Sequence, residues 1–340
     1  MTAPDPDTVD AAIDALLADA GVTGQRSLVR RIIATGIGLA HDGADRLDLK
    51  ISAAALEEMR AAFRLFAPYR EIPKVTFFGS ARIRAQDPLW VSAEAASRGL
   101  AERGWLVVTG AGPGIMEAAA TGAGPERSLG VSIRLPFEEH PNAQSAANDR
   151  LVAMKYFFTR KLMLVKESSG FLCLPGGFGT LDETLELLTL QQTGKMEPTP
   201  IVLLDRPGGT YWRGFARFVT EELAGTGMIT INDLDRVLVT DSVDAAIDEI
   251  TGFWRNYDSL RWVGDRLVLR LRTAPTDAEL ADLNARFSGL CATGRIEHTE
   301  PLDEEHSERD LLELPRIVFT PLRRSVGDLH RLIRALNQLV

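Results

Sequence analysis

Leu174-Pro175-Gly176-Gly177-Phe178-Gly179-Thr180-Leu181-Asp182-Glu183 follows directly on the apolar run Phe171-Leu172-Cys173. An apolar run this short, bounded by glycines, reads as a buried strand. The glycines after it allow a tight turn and close approach of a ligand. Residues 181 to about 192 then read as a helix. The first N–H groups of a helix have no intrahelical acceptor and sit at its positive end, which suits a phosphate dianion. Thr180 is placed either to cap the helix or to donate its hydroxyl to that phosphate. Glu183 is expected in the first helical turn, where the dipole favours its ionised form. Glu186 and Thr189 follow at intervals of three and are expected on a broad helix face toward the same cleft, although Glu186 reads equally well as solvent-facing. The loop lacks Gly-Lys-Ser/Thr, so it is not a P-loop, and it fails the dinucleotide pattern Gly-x-Gly-x-x-Gly.

Outward from this turn the same rhythm repeats. Val75-Thr76-Phe77-Phe78, Trp105-Leu106-Val107-Val108, Leu129-Gly130-Val131-Ser132-Ile133 and Pro200-Ile201-Val202-Leu203-Leu204 read as further buried strands. Helices are expected over about 89–103, 115–121, 159–167 and 211–223, while the segment 151–157 is left unassigned. This alternation predicts an α/β fold: a doubly wound, mostly parallel Rossmann-like sheet covered on both faces. Right-handed crossovers then bring the strand-to-helix loops to one edge, where ligands bind. Residues 1–70 read as a helical preface, on the spacing of Ile13, Leu16, Leu17, Leu28, Ile32 and Ile33 and then of Leu56, Met59, Phe63 and Phe66. The central domain spans 71–256. Residues 257–340 form a small α+β appendix: a hairpin turning at Gly264-Asp265, a helix over 277–287 capped by Thr276, two strands near 294–299 and 316–320, and a last helix over 326–339. The acidic stretch 300–310 reads as a solvated loop.

Two other clusters would share the edge with residues 176–180. Phe157-Phe158-Thr159-Arg160-Lys161 places two cations at a helix start, where positive charge is unfavourable unless an acid such as Glu183, or a phosphate, offsets it. Gly110-Ala111-Gly112-Pro113-Gly114-Ile115-Met116, with Phe78-Gly79-Ser80, offers two more glycine turns. Ser80, Gly112, Gly114, Met116 and Lys161 are therefore candidate substrate contacts.

The 340 residues are 45% hydrophobic and 25% charged, ordinary for a globular protein. The net charge of −9 argues against a general nucleic-acid surface. Cys173 and Cys291 have neither metal-ligand spacing nor a disulfide framework, and Cys173 reads as a buried thiol. No metal or cofactor is expected. The first ten residues are acidic and proline-containing, unlike a secretory signal, and no apolar run approaches a membrane span. A cytoplasmic protein with no membrane partner is the expectation.

Taken together, these residues resemble the Lonely Guy family of cytokinin riboside 5′-monophosphate phosphoribohydrolases, long labelled lysine decarboxylases. The family's Pro-Gly-Gly-x-Gly-Thr-x-x-Glu is matched from Pro175 to Glu183, and its upstream Arg-Lys pair by Arg160 and Lys161. The resemblance covers about residues 74–250 and implies at least a homodimer. It implies hydrolysis of a nucleoside 5′-monophosphate, AMP or an N6-modified AMP, to free base and ribose 5-phosphate. It implies catalytic roles for Arg160 and Glu183, and phosphate binding by Gly176, Gly177, Gly179 and Thr180, with Phe178 inside the same motif. It also implies a ligand contact for Thr189 and a further glutamate after the third strand, for which Glu138 and Glu139 are both candidates. Phe157 and Phe158 stand where compact members carry a histidine. The alternatives are a nucleotide or molybdopterin-like carrier without turnover, and a pyridoxal-phosphate decarboxylase. The latter needs a Schiff-base lysine and an acid for the ring nitrogen, a constellation not visible here.

Overall fold

The computed structural model describes residues 6–134, 149–308, 311–322 and 326–340. The chain divides into two compact units, Met1–Ala61 and Ala62–Val340. The first holds helices α1 (Pro6–Asp19) and α2 (Arg26–His41) and most of α3 (Arg46–Phe66). Arg30 pairs with Asp10, and Arg26 donates to the Asp14 carbonyl, tying α2 to α1.

The second unit contains a seven-stranded, wholly parallel sheet, with strands β1 (Lys74–Phe78), β2 (Leu106–Thr109), β3 (Ser128–Ile133), β4 (Leu151–Met154), β5 (Gly170–Cys173), β6 (Ile201–Leu204) and β7 (Val237–Thr240). Helices α4 (Pro88–Glu102), α5 (Ile115–Ala123), α6 (Phe157–Lys166), α7 (Phe178–Gln192), α8 (Tyr211–Phe218) and α9 (Val243–Gly252) connect and flank them. The strand order is β4-β3-β2-β1-β5-β6-β7. The chain thus builds outward from β1 to β4, then returns to pair β5 on the other side of β1. Loops leaving β1 and β5 run in opposite directions, and the crevice between them is where an open α/β sheet takes a ligand.

Every residue of β1, β2, β5 and β6 is buried, which explains why these strands read as unbroken apolar runs. Val75, Phe77, Val107, Leu172 and Val202 share one core with Ala93, Ala96 and Leu100 of α4, Ile115 and Ala118 of α5, and Ile247 and Ile250 of α9. Each large side chain so buried contributes about 1.5–3 kcal/mol. On the other face, Thr76 bonds the Leu164 carbonyl of α6.

Several boundaries differ from expectation. The unassigned segment 151–157 is edge strand β4 followed by α6, which starts at Phe157 rather than 159. Strand β7 and helix α9 were not anticipated. Helix α7 starts at Phe178, three residues before the expected Leu181, because its N-cap is Gly177.

The second sheet, ordered β10-β11-β9-β8, is antiparallel. Its strands are β8 (Tyr257–Val263), β9 (Arg266–Leu271), β10 (Cys291–His298) and β11 (Arg316–Pro321), with helices α10 (Asp277–Phe287), α11 (Asp303–Glu308) and α12 (Val326–Asn337). The hairpin turns at Gly264, whose φ of 63° suits glycine. Thr276 and Glu279 form a capping box on α10. The acidic stretch is not a solvated loop. It contains α11, and Glu305 is wholly buried, bonded to Arg270 Nη2 at 2.7 Å and Arg316 Nη1 at 2.8 Å. Burial alone would raise its carboxyl, but these bonds and the Leu302 N–H hold it below the ordinary value. A pattern of like charges read along the chain cannot reveal two arginines contributed by other strands.

Candidate functional site

Strand β5 delivers residues 174–177 to the crevice, and Gly177 in extended conformation starts α7 without a side-chain cap. Thr180 is therefore not the cap. It is the third residue of α7, and a Cβ on Gly176 would lie 2.1 Å from its hydroxyl oxygen and 3.0 Å from the Ser80 nitrogen. Gly176 is bare because the protein's own atoms fill the space. Gly177 and Gly179 are different. Neither has a positive φ, and a Cβ at either position would meet nothing within 4 Å. Their missing side chains serve no packing need of the chain, and they leave the first N–H groups of α7 open to an incoming anion.

The turns after β1 and β2 close against this one. Ser80 N–H donates to the Pro175 carbonyl at 3.2 Å, and Ile115 N–H donates to the Ser80 carbonyl at 3.1 Å. Gly114 has a φ of 72°, and a Cβ there would sit 2.3 Å from that same carbonyl. Together they border a cleft of about 800 Å³ lined by Ser80, Gly110, Met116, Phe157, Arg160, residues 176–183 and Tyr211.

Of the residues expected at the site, the cleft gathers Arg160, Glu183, Gly176, Gly177, Phe178, Gly179, Thr180, Ser80 and Met116. Phe178 is 92% exposed at the mouth of α7. Gly112 lines a neighbouring hollow of about 610 Å³, which Met116 also borders, and Gly114 is taken up in the turn against Ser80. Lys161 does not line the cleft; its ammonium pairs with Asp182 and Glu186 at 2.8 Å each, tying α6 to α7. Thr189 is also outside. Its hydroxyl bonds the Leu185 carbonyl, and it borders a separate small cavity with Leu188, Val219 and Leu223. Six residues beyond Glu183 it is turned about 120° away around the helix, so Thr189 leaves the expected common face, whereas Glu186, about 60° from Glu183, is drawn to Lys161. Glu138 and Glu139 lie outside the described residues.

Glu183 is in the second turn of α7, not the first, and is 7% exposed. Burial raises its carboxyl to about 7, although Lys161 and Arg160 pull it down. The dipole does not keep it ionised there, since its effect fades within the first turn. Its Oε2 has no hydrogen-bond partner among the described residues. Arg160 does not grip this carboxylate. Its Nε donates to the Val131 carbonyl at 2.9 Å, and its Nη2 lies over Gly110, where a Cβ would come within 1.9 Å. Burial lowers the Arg160 guanidinium, and Glu183 raises it across the cleft. The two groups thus face one space with opposite charge and no direct ion pair among the described residues. Below Glu183, the buried Cys173 thiol is pushed up to about 12 by desolvation and is inert.

Sequence reading missed Tyr211 and Asp205. Tyr211 Oη donates to the Gly176 carbonyl at 2.7 Å, and Asp205 caps α8 through the Tyr211 N–H at 2.9 Å. The available signal was an acid at the end of an apolar strand, followed by Gly208-Gly209-Thr210 before a helix.

A family model described as possible lysine decarboxylase matches residues 114–250. A cytokinin riboside 5′-monophosphate phosphoribohydrolase of Mycobacterium marinum is 32% identical over 156 residues, 46% of this chain and 81% of that protein. A protein of the same name from Rhodococcoides fascians is 31% identical over 147 residues, 43% of this chain and 72% of its own. Among solved structures, the molybdenum cofactor carrier protein of Chlamydomonas reinhardtii is 21% identical, with a TM-score of 0.36 over 53% of this chain and 96% of that one. Matched over most of the length of such relatives, and carrying Pro175 to Glu183 on the strand–helix turn, the chain belongs to the Lonely Guy family of cytokinin riboside 5′-monophosphate phosphoribohydrolases.

Proposed function

We propose that the cleft binds a nucleoside 5′-monophosphate, AMP or an N6-modified AMP, and that the chain hydrolyses its N-glycosidic bond. The observation that carries this reading is the pairing of a bare helix N-terminus, Gly177 to Thr180, with the buried carboxylate of Glu183, whose Oε2 has no hydrogen-bond partner among the described residues, in one cleft. The phosphate sits on the open N–H groups, so binding energy remote from the reaction positions the sugar. Cleavage of the C1′–N bond places positive charge on the ribose, and ionised Glu183 stabilises it. Water adds at C1′, the base leaves with a proton, and ribose 5-phosphate remains. Arg160, anchored by Val131, faces the same space and orients the sugar or the phosphate through its planar fork.

The test is a panel of nucleoside monophosphates and their nucleosides, read by chromatography of released base. Release from monophosphates but not from nucleosides supports the reading. Binding without release would make the chain a carrier, and equal rates on adenosine and AMP would remove the phosphate anchor. We also propose self-association through the apolar side chains exposed on α6 and α7, namely Phe157, Phe158, Leu162 and Leu185. Sedimentation of Phe158→Asp against the unmodified chain checks this; an unchanged mass would remove that face from the interface.

A further inference from the structure

The peptide joining Gly176 to Gly177 is the weak point of the phosphate cradle. A trans peptide is planar, so its carbonyl and its N–H point in opposite directions. Glycines on both sides leave either orientation sterically open. One orientation offers the Gly177 N–H to an anion on the α7 N-terminus; the flipped one offers the lone pairs of the Gly176 oxygen instead. The only hydrogen bond found on that oxygen among the described residues comes from Tyr211 Oη, at 2.7 Å.

Tyr211 is itself held from outside the cradle. It is the first residue of α8. The buried Asp205 carboxylate accepts from the N–H groups of Arg206 at 2.8 Å, Tyr211 at 2.9 Å and Trp212 at 3.4 Å. Gly209 must be bare beside it, because a Cβ there would sit 2.1 Å from Asp205 Oδ1. The Tyr211 ring meets the wholly buried Trp212 edge-on, with centroids 4.8 Å apart. Burial and the nearby Asp205 charge raise the phenol above its ordinary value, so it stays a proton donor at neutral pH.

Building on the phosphate-site reading above, we infer that Tyr211 is a positioning residue for the cradle: its hydroxyl holds the Gly176 carbonyl back and so keeps the Gly177 N–H turned toward the phosphate. Asp205 acts one step further out, by fixing the start of α8. Neither residue takes part in bond breaking, and the effect of both is confined to ligands that carry a phosphate.

Tyr211→Phe removes the hydroxyl and keeps the ring against Trp212. Losing one hydrogen bond of this kind is expected to weaken binding of ribose 5-phosphate and of AMP, measured by calorimetry, about tenfold. KM for AMP should rise by the same factor while kcat stays within about twofold. Any residual hydrolysis of adenosine, which has no phosphate, should not change, a distinction a general loosening of the fold would not make. Asp205→Asn should act in the same direction, and the double variant should bind less weakly than two independent losses would give. If the unmodified protein binds ribose 5-phosphate and Tyr211→Phe binds it equally well, the inference about Tyr211 is wrong and the phosphate site stands. If kcat falls while binding is unchanged, Tyr211 belongs to the chemistry and not to positioning. If the unmodified protein binds neither ligand, the phosphate-site reading fails and this inference with it.

Discussion

Replacing Glu183 by glutamine should make the protein more stable and nearly inactive, and both effects follow from one buried charge. Glu183 is 7% exposed, and its carboxyl is raised from 4.5 to about 7, chiefly by desolvation. That shift corresponds to about 3 kcal/mol of cost for ionising the group in the folded chain, at about 1.4 kcal/mol per pH unit. The sign follows from proton binding. Below the unfolded value near 4.5 the acid is protonated in both states and costs nothing. Between 4.5 and about 7 the native state holds the proton longer, so stability falls as pH rises; above 7 the full cost is present. Glutamine keeps the shape and carries no charge. Denaturant unfolding at pH 8 should therefore show Glu183→Gln more stable by up to about 3 kcal/mol, with the gain vanishing near pH 4.5. Turnover should fall by about two or more orders of magnitude while nucleotide binding persists. In the unmodified enzyme, kcat/KM should rise with pH through about 7, as Glu183 ionises. A stability gain independent of pH would show that desolvation of the Glu183 charge is not its source. Base release at the unmodified rate would remove it from the chemistry.

Three further expectations rest on separate contacts. Gly177→Ala meets no atom within 4 Å, so the fold and melting temperature should be kept while affinity for ribose 5-phosphate drops at least about tenfold; unchanged affinity would show that no ligand approaches there. Gly110→Ala would put a methyl 1.9 Å from Arg160 Nη2, so the guanidinium must move, and kcat/KM should fall about tenfold or more with little change in unfolding; full activity would show that Arg160's place is not important. Glu305→Ala would leave Arg270 and Arg316 buried without their carboxylate and should cost about 3–5 kcal/mol in denaturant unfolding; a loss below 1 kcal/mol would show that water reaches the pair.

Local order in the chain decided much about this protein. Short unbroken apolar runs such as 201–204, followed by Asp205, and 171–174, followed by Pro175-Gly176, read as strands buried on both faces, and the helical spacing between them makes the sheet parallel. The turn from Pro175 to Glu183 was legible for the same reason: its meaning lies in adjacent residues, and the backbone of a strand–turn–helix is a local matter. What tertiary structure alone decided is what lies across from those residues. The rotation of α7 sends Thr189 away from Glu183, and Lys161 turns from the cleft to Asp182 and Glu186. Arg160 finds a carbonyl on β3 rather than the carboxylate, and the Gly176 peptide is held by a phenol 35 residues further on. Glu305 vanishes between two arginines from other strands. Burial and pairing depend on atoms brought together from distant segments, so neither the raised carboxyl of Glu183 nor the hold on its cradle has a signature in the order of residues.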